Sequence, residues 1–254
     1  MRRWLICAWL VILPAAVASD RQRETDYAAA IEKTPSPGQT VWLKAGSESF
    51  VGLYIDAEKT DQRKAVIILH DIGDYPDQQP LIRGLRTTLP QHQWATLSLQ
   101  MPLREAGAGE SEYYPLFDEA KARVEAAVDY LRGGGADTIA LVGYGLGGAM
   151  AAYAVNAKPE GVAALVTISL PLIDSLQPAI SIADALKNIA LPFLDVYAEF
   201  DLPVVVDSAR QRRMLAKDNP VFRQTRIEGE NHAYPDDPAM LIKRIYSWLA
   251  SEQL

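Results

Sequence analysis

Five short apolar runs punctuate the chain: Ala65–Leu69, Trp94–Leu99, Thr138–Val142, Val162–Ile168 and Pro192–Tyr197. Runs of this length, rich in aliphatic and β-branched side chains, fit strands of a parallel sheet buried on both faces. Between them the apolar positions fall at helical spacing. Ala120, Val124, Ala127, Val128 and Leu131 share one face of a helix, and Leu241, Ile242, Ile245, Trp248 and Leu249 share one face of the last. Ahead of the runs, Thr40–Lys44 and Phe50–Ile55 alternate around Ala45-Gly46-Ser47, which predicts an antiparallel hairpin. Residues 20–33 read as a polar helix, broken by Pro35-Ser36-Pro37-Gly38. Strand and helix in alternation predict right-handed crossovers and a three-layer α/β/α sandwich with a mostly parallel sheet. No repeat and no second domain boundary is visible. Pro171–Ile189 reads as a small insertion over the carboxyl edge of the sheet.

The N-terminus has a different texture. Arg2 and Arg3 precede an apolar stretch from Trp4 to Leu13, and Ala16-Val17-Ala18 supplies a small-x-small cleavage site. The stretch is too short to span a bilayer. The expected division is therefore a signal peptide over 1–18, a helix and linker over 19–39, and one α/β domain over 40–254. Cleavage removes Cys7, the single cysteine, and with it any disulfide, thiol nucleophile or cysteine metal site. An exported chain without disulfides fits a bacterial periplasm, with no membrane span left after processing. The 254 residues carry a formal charge of −7. That acidity excludes a nucleic-acid binder, which needs a basic face, and otherwise serves solubility.

The most informative segment is Leu141-Val-Gly-Tyr-Gly-Leu-Gly-Gly-Ala-Met150, where a buried strand runs through glycines into a helix of small residues. Gly143, Gly145 and Gly148 spell G-x-G-x-x-G, a dinucleotide pattern. That pattern requires an acidic residue about 20 positions on for the ribose, and none lies between Gly161 and Pro171. The alternative is the nucleophile elbow G-x-S-x-G, with Gly143 and Gly147 as flanks and Gly145 at the serine position. Asp201 follows the strand ending near Tyr197, and His232 precedes the final helix. Elbow, acid and histidine in that order match the triad order of one fold. His70-Asp71-Ile72-Gly73 follows the first buried strand, where that fold places its oxyanion loop.

From about residue 40 to the C-terminus the chain resembles the α/β-hydrolase fold. It is similar more closely to a family of uncharacterised exported bacterial proteins related to that fold, through Val41-Trp-Leu-Lys-Ala-Gly, Phe50-Val-Gly-Leu-Tyr and Trp94–Pro102. The resemblance implies a hydrolase-like sandwich, a triad remnant of Asp201 and His232, and an oxyanion hole formed by the N–H groups of Ile72 and Leu146. It implies no established activity and no cofactor or metal.

Gly145 departs from the hydrolase pattern at the atom that matters, because it has no hydroxyl to acylate. Loss of the serine costs a measured protease about six orders of magnitude in kcat. Glycine also relieves the strained backbone of the elbow. The usual His-Gly has become His70-Asp71, which sets a carboxylate near the place where negative charge would develop. The expected function is binding of a small or acyl-type ligand, with catalysis lost or altered. One alternative is an active esterase- or peptidase-like hydrolase in which His232 and Asp201 drive a water or another hydroxyl, such as Ser98, Ser169 or Tyr144. Another is a structural or partner-binding envelope protein, separated from the first by the absence of any thermal shift with acyl ligands.

Other residues carry less. Asp71, Asp74, Asp77, Asp236 and Asp237 match no metal loop and read as solvated acidic loops. Arg210, Arg212 and Arg213 read as the wet face of a helix after Pro203, and Trp94 and Trp248 as core aromatics. One measurement checks the leader: N-terminal sequencing of the protein from a periplasmic extract is expected to begin at Ser19, whereas full-length chain in the membrane fraction refutes the assignment.

Overall fold

Eight strands form one sheet in the order β1-β2-β4-β3-β5-β6-β7-β8. They are β1 (Gln39–Ala45), β2 (Glu48–Ile55), β3 (Lys64–Leu69), β4 (Ala95–Leu99), β5 (Thr138–Tyr144), β6 (Val162–Ile168), β7 (Phe193–Phe200) and β8 (Phe222–Asn231). The computed structural model describes residues 19–34, 36–58, 63–156, 161–173 and 180–252. The expected leader with Cys7, together with Pro35 and residues 174–179 of the expected insertion, lies outside the described residues. Strands β1 and β2 form the expected hairpin, with Trp42 opposite Val51, and β2 runs antiparallel to β4. Every pairing from β4 through β8 is parallel.

The helices are α1 (Arg21–Lys33), α2 (Leu81–Thr88), α3 (Glu110–Tyr113), α4 (Phe117–Gly133), α5 (Leu146–Asn156), α6 (Ile182–Asn188), α7 (Pro203–Leu215) and α8 (Pro238–Ser251). Successive strand side chains point to opposite faces, and β3 shows the consequence. Ala65, Ile67 and Leu69 pack into a layer with α4 and α5, while Val66 and Ile68 pack into the other with α2 and α8. This two-sided burial is why the strands read as unbroken apolar runs. The N-terminal helix sits apart, with Ala28 and Ile31 on Val51 and Leu53 of the hairpin strand β2.

One strand was not foreseen, and one expectation fails. Strand β8 was invisible in the sequence because it is a polar edge strand, Phe-Arg-Gln-Thr-Arg-Ile-Glu-Gly-Glu-Asn, in which only Ile227 and Glu230 are buried. Arg212 does not lie on a wet face. It is 1% exposed, and its Nε donates to Asp195 Oδ2 at 2.9 Å. Its Nη1 donates to the Val205 carbonyl and to Ser208, while Thr167 and Gln224 complete the shell of Asp195. The pair fastens α7 to the first half of β7, the strand that ends before Asp201. Asp195→Ala is expected to destabilise the fold by about 3–5 kcal/mol, because it leaves a buried guanidinium unpaired. Urea unfolding measures this, and a loss below about 1 kcal/mol refutes the assignment.

Candidate active site

The carboxyl ends of four parallel strands bring the site together. Strand β3 delivers His70 and Asp71, β5 turns through Gly145 into α5, β7 ends before Asp201, and β8 ends before His232. Gly145 has φ +54°, a left-handed conformation that glycine adopts without steric penalty. Its N–H donates to the Ile168 carbonyl at 2.8 Å, which ties the turn to β6. Conformation is only half of the requirement. A Cβ at 145 would overlap Oδ1 and Cγ of Asp71. The Asp71 carboxylate thus stands in the room that a side chain at the elbow would fill.

Asp71 is anchored there at both oxygens. Leu146 N–H, the first of α5, donates to Oδ1 at 2.7 Å, and His232 Nε2 lies 2.9 Å from Oδ2. The other imidazole nitrogen, Nδ1, lies 2.7 Å from Asp201 Oδ1. His232 is therefore bracketed by two carboxylates. Burial disfavours its charged form, but the hydrogen bonds to Asp201 and Asp71, with their charges, outweigh this and raise it to about 9. At neutral pH it is an imidazolium, a proton donor to both sides. Burial likewise pushes Asp201 upward, yet hydrogen bonds from His232, Ser169 and the N–H groups of Ala198 and Leu202 hold it below the usual carboxylate range.

The residues around this axis fix it in place. Tyr144 OH donates to the His232 carbonyl at 2.7 Å, and its ring stacks on the imidazole with centroids 5.1 Å apart. The buried Glu230 accepts the N–H groups of Asp236 and Asp237, closing the loop after His232. On the other side, His70 Nδ1–H donates to the Asp71 carbonyl, while its Nε2 accepts from Met101 N–H. Burial lowers His70 to about 4, so it is neutral. Helix α1 reaches the same loop. Arg23 and the Tyr27 hydroxyl both donate to the Gly73 carbonyl, at 2.9 and 3.0 Å.

The predicted residues are thus partly assembled. Gly145, His232, Asp201, Asp71 and Leu146 meet, with His70 behind them as a loop anchor. Ile72 follows Asp71 in the loop and lines the small space next to it, while the Leu146 N–H expected for an oxyanion is already taken by Asp71. The candidate hydroxyls do not face the free side of His232. Ser98 donates to the Pro76 carbonyl, and Ser169 bonds to Asp201 and Tyr234 behind the acid. Asp77 pairs with Arg86, and Asp237 caps α8. Among the described residues no group of three or more His, Cys, Asp or Glu forms a metal-ligand set. The sequence flagged Asp71 only as an obstacle to an anion. Its carboxylate is instead itself the bound anion, held by the Leu146 N–H and His232. Two further acids shape the field: burial, then the charge of Asp71, raises Asp74 and Glu110 to about 6 each. The space beside Asp71, between His70, Met101, Leu103, Tyr113 and Met150, is about 10 Å³. That is room for one water at most.

With this geometry in hand, the family described as "Protein of unknown function (DUF3530)" matches residues 13–113 and 116–251. The chain belongs to that family. Its fold is that of the α/β-hydrolases. Est1E from Butyrivibrio proteoclasticus is similar at TM-score 0.68 and 14% identity, over 84% of this chain and 98% of that one. The dienelactone hydrolase from Anabaena variabilis gives 0.67 and 20% identity, over 84% and 96%. The esterase Pf2001 from Pyrococcus furiosus gives 0.70 and 15%, over 89% and 94%. No curated protein matches by sequence.

The bracketed imidazolium has a measurable signature. A histidine raised from the ordinary 6.5 to about 9 contributes stability that is complete below pH 6.5 and is lost as pH rises through 9. Unfolding free energies are expected to fall across that window, and His232→Gln is expected to flatten the fall. In an NMR titration, Asp71→Asn lowers the His232 midpoint by removing one of the two carboxylates. An unmoved midpoint refutes the bracket.

Proposed function

We propose that this is an exported α/β-hydrolase-type protein whose centre accepts a small or acyl-type ligand but no longer performs serine acyl transfer. One observation carries the reading: the Asp71 carboxylate occupies the room left by Gly145, bonded to Leu146 N–H and His232. Acyl transfer at a triad needs a hydroxyl, a neutral imidazole to deprotonate it, and a vacant N–H for the oxyanion. Here the hydroxyl is missing, the imidazole already holds its proton, and the N–H is occupied. A single change back to serine does not restore the reaction, because the Asp71 carboxylate still fills the room, occupies the Leu146 N–H and keeps the proton on His232. The 10 Å³ beside Asp71 means that a ligand enters from the open side of the site, or as the loop from His70 to Tyr75 moves. The open side is where His232 and Asp71 keep 22% and 11% of their side-chain surface exposed.

The second reading, an active hydrolase with a non-standard nucleophile, is favoured by the same carboxylate, since it lies where the attacking atom of a serine enzyme belongs. The two readings agree that the serine route is closed. A fluorophosphonate probe tests that point, because it traps an activated serine. Wild type and Gly145→Ser are expected to remain unlabelled, and Gly145→Ser is expected to be less stable, since its side chain collides with Asp71 and meets the left-handed turn. Gly145→Ser combined with Asp71→Gly frees the space, the N–H and the imidazole together, and is expected to label. Labelling of wild type that disappears with His232→Ala overturns the proposal.

A further inference from the structure

A cavity of about 730 Å³ lies away from this centre, between α8 and the outer strands β7 and β8. Its strand residues come from the first halves of β7 and β8, whereas the centre is built at their carboxyl ends. The register explains one wall. Leu194 lies opposite Arg223 and Val196 opposite Thr225. Alternation sends all four to one face of the sheet, the face on which Leu194 and Val196 pack with α8. Asp195 and Gln224, between them, bond to α7 on the other face. Helix α8 supplies the second wall, where Met240, Arg244, Trp248 and Ser251 recur every three or four residues and so share one side. The volume falls within the roughly 300–1,000 Å³ of small-molecule sites, which are mostly apolar with a few convergent polar groups.

The charge on these walls is opposite to that of the chain. Arg223, Lys243 and Arg244 line the cavity against a single acid, Glu252, in a protein of net charge −7. Among the described residues none of the three cations forms an ion pair, and Arg223 donates only to the Pro220 and Phe222 carbonyls. Arg226, farther along the same strand, is by contrast held by Glu228 and Glu199. An unpaired cation in water is ordinary; three around one cavity are not. Trp248 adds an independent sign. Its indole N–H is buried and has no acceptor, although a buried indole N–H usually finds one. Apolar surface, an excess of cations and a donor without an acceptor are answered together by one kind of ligand. We propose that the groove between α8 and β8 binds a single-chain amphipathic carboxylate, with its hydrocarbon on Leu194, Val196 and Trp248 and its head among Arg223, Lys243 and Arg244. A guanidinium presents paired N–H donors that match both oxygens of a carboxylate. The catalytic-type centre does not compete for this anion, because Asp71 already takes the donors there.

The test is an NMR titration of the intact protein with decanoate, kept below the concentration at which it forms micelles. The Trp248 indole N–H resonance, assigned with Trp248→Phe, is expected to shift and to saturate. Octanoate, two methylenes shorter, is expected to bind about tenfold more weakly, since each methylene leaves an apolar wall. Lys243→Ser combined with Arg244→Ser removes two exposed charges and is expected to weaken decanoate about tenfold with the melting temperature unchanged. Thr225→Tyr, a substitution that strands accept, fills the groove from β8 and is expected to abolish the shift in a protein that still melts cooperatively. The absence of a saturable shift overturns the proposal. So does an equal shift with decyltrimethylammonium, which has the same tail and the opposite charge, or an undiminished shift in the double variant. A shift produced only by vesicles of anionic phospholipid makes the groove a membrane contact and also overturns it.

Discussion

Gly145 and Asp71 compete for one volume, and the centre of the protein is organised around the outcome. A side chain at 145 and the carboxylate of Asp71 cannot coexist in this backbone. With glycine at the turn, the carboxylate enters and finds two donors already built into the fold: the first N–H of α5 and the imidazole of His232. The helix end favours a negative charge on its own account, and the charge then holds a proton on the histidine. The protonated histidine in turn strengthens its bond to Asp201. Gly145 and Asp71 therefore act as a pair, the one leaving the room that the other fills.

The loop that carries Asp71 is held by a relay of buried polar groups reaching across the molecule. Glu24 on α1 accepts from Arg123 on α4 and from the Leu103 N–H. Arg123 donates to the Gln100 carbonyl, and Gln100 and Met101 meet the His70 ring. Farther along the same loop, Asp77 pairs with the fully buried Arg86, which also reaches the Pro37 carbonyl. Buried ion pairs contribute little net stability over apolar packing, yet breaking one partner is severe. Their use here is positional. Arg86 ties α2 to the loop after β3, Arg123 ties α4 to the end of β4, and Arg212 ties α7 to β7. The N-terminal helix is thus part of the support of the loop that carries Asp71.

The solved esterases that share the fold are distant in sequence. At 14–20% identity the α/β-hydrolase fold persists. The fold holds a loop, a helix start and a histidine together at its strand ends. Ser169 shows how tightly that geometry is kept. It sits at φ +53°, unusual for a side-chain-bearing residue, with its hydroxyl locked on Asp201.

The local features of the chain were legible without coordinates because they depend on neighbours in sequence. Apolar runs over 65–69 and 138–142 could only be strands buried on two faces, and the 119–131 spacing could only be one face of a helix. The order of Gly145, Asp201 and His232 along the chain matched that of one fold and implied that those residues meet at one edge. Strand β8 was hidden because it lies at an edge, where polar side chains meet no penalty, and Arg212 was misplaced because its buried partner Asp195 is on another element. The central contact was hidden for a similar reason. Asp71 and His232 are 161 positions apart, and nothing in either one's neighbours says which way a loop carboxylate points. That was decided by the space above Gly145, a volume bounded by residues from three strands, which exists only once the sheet has formed.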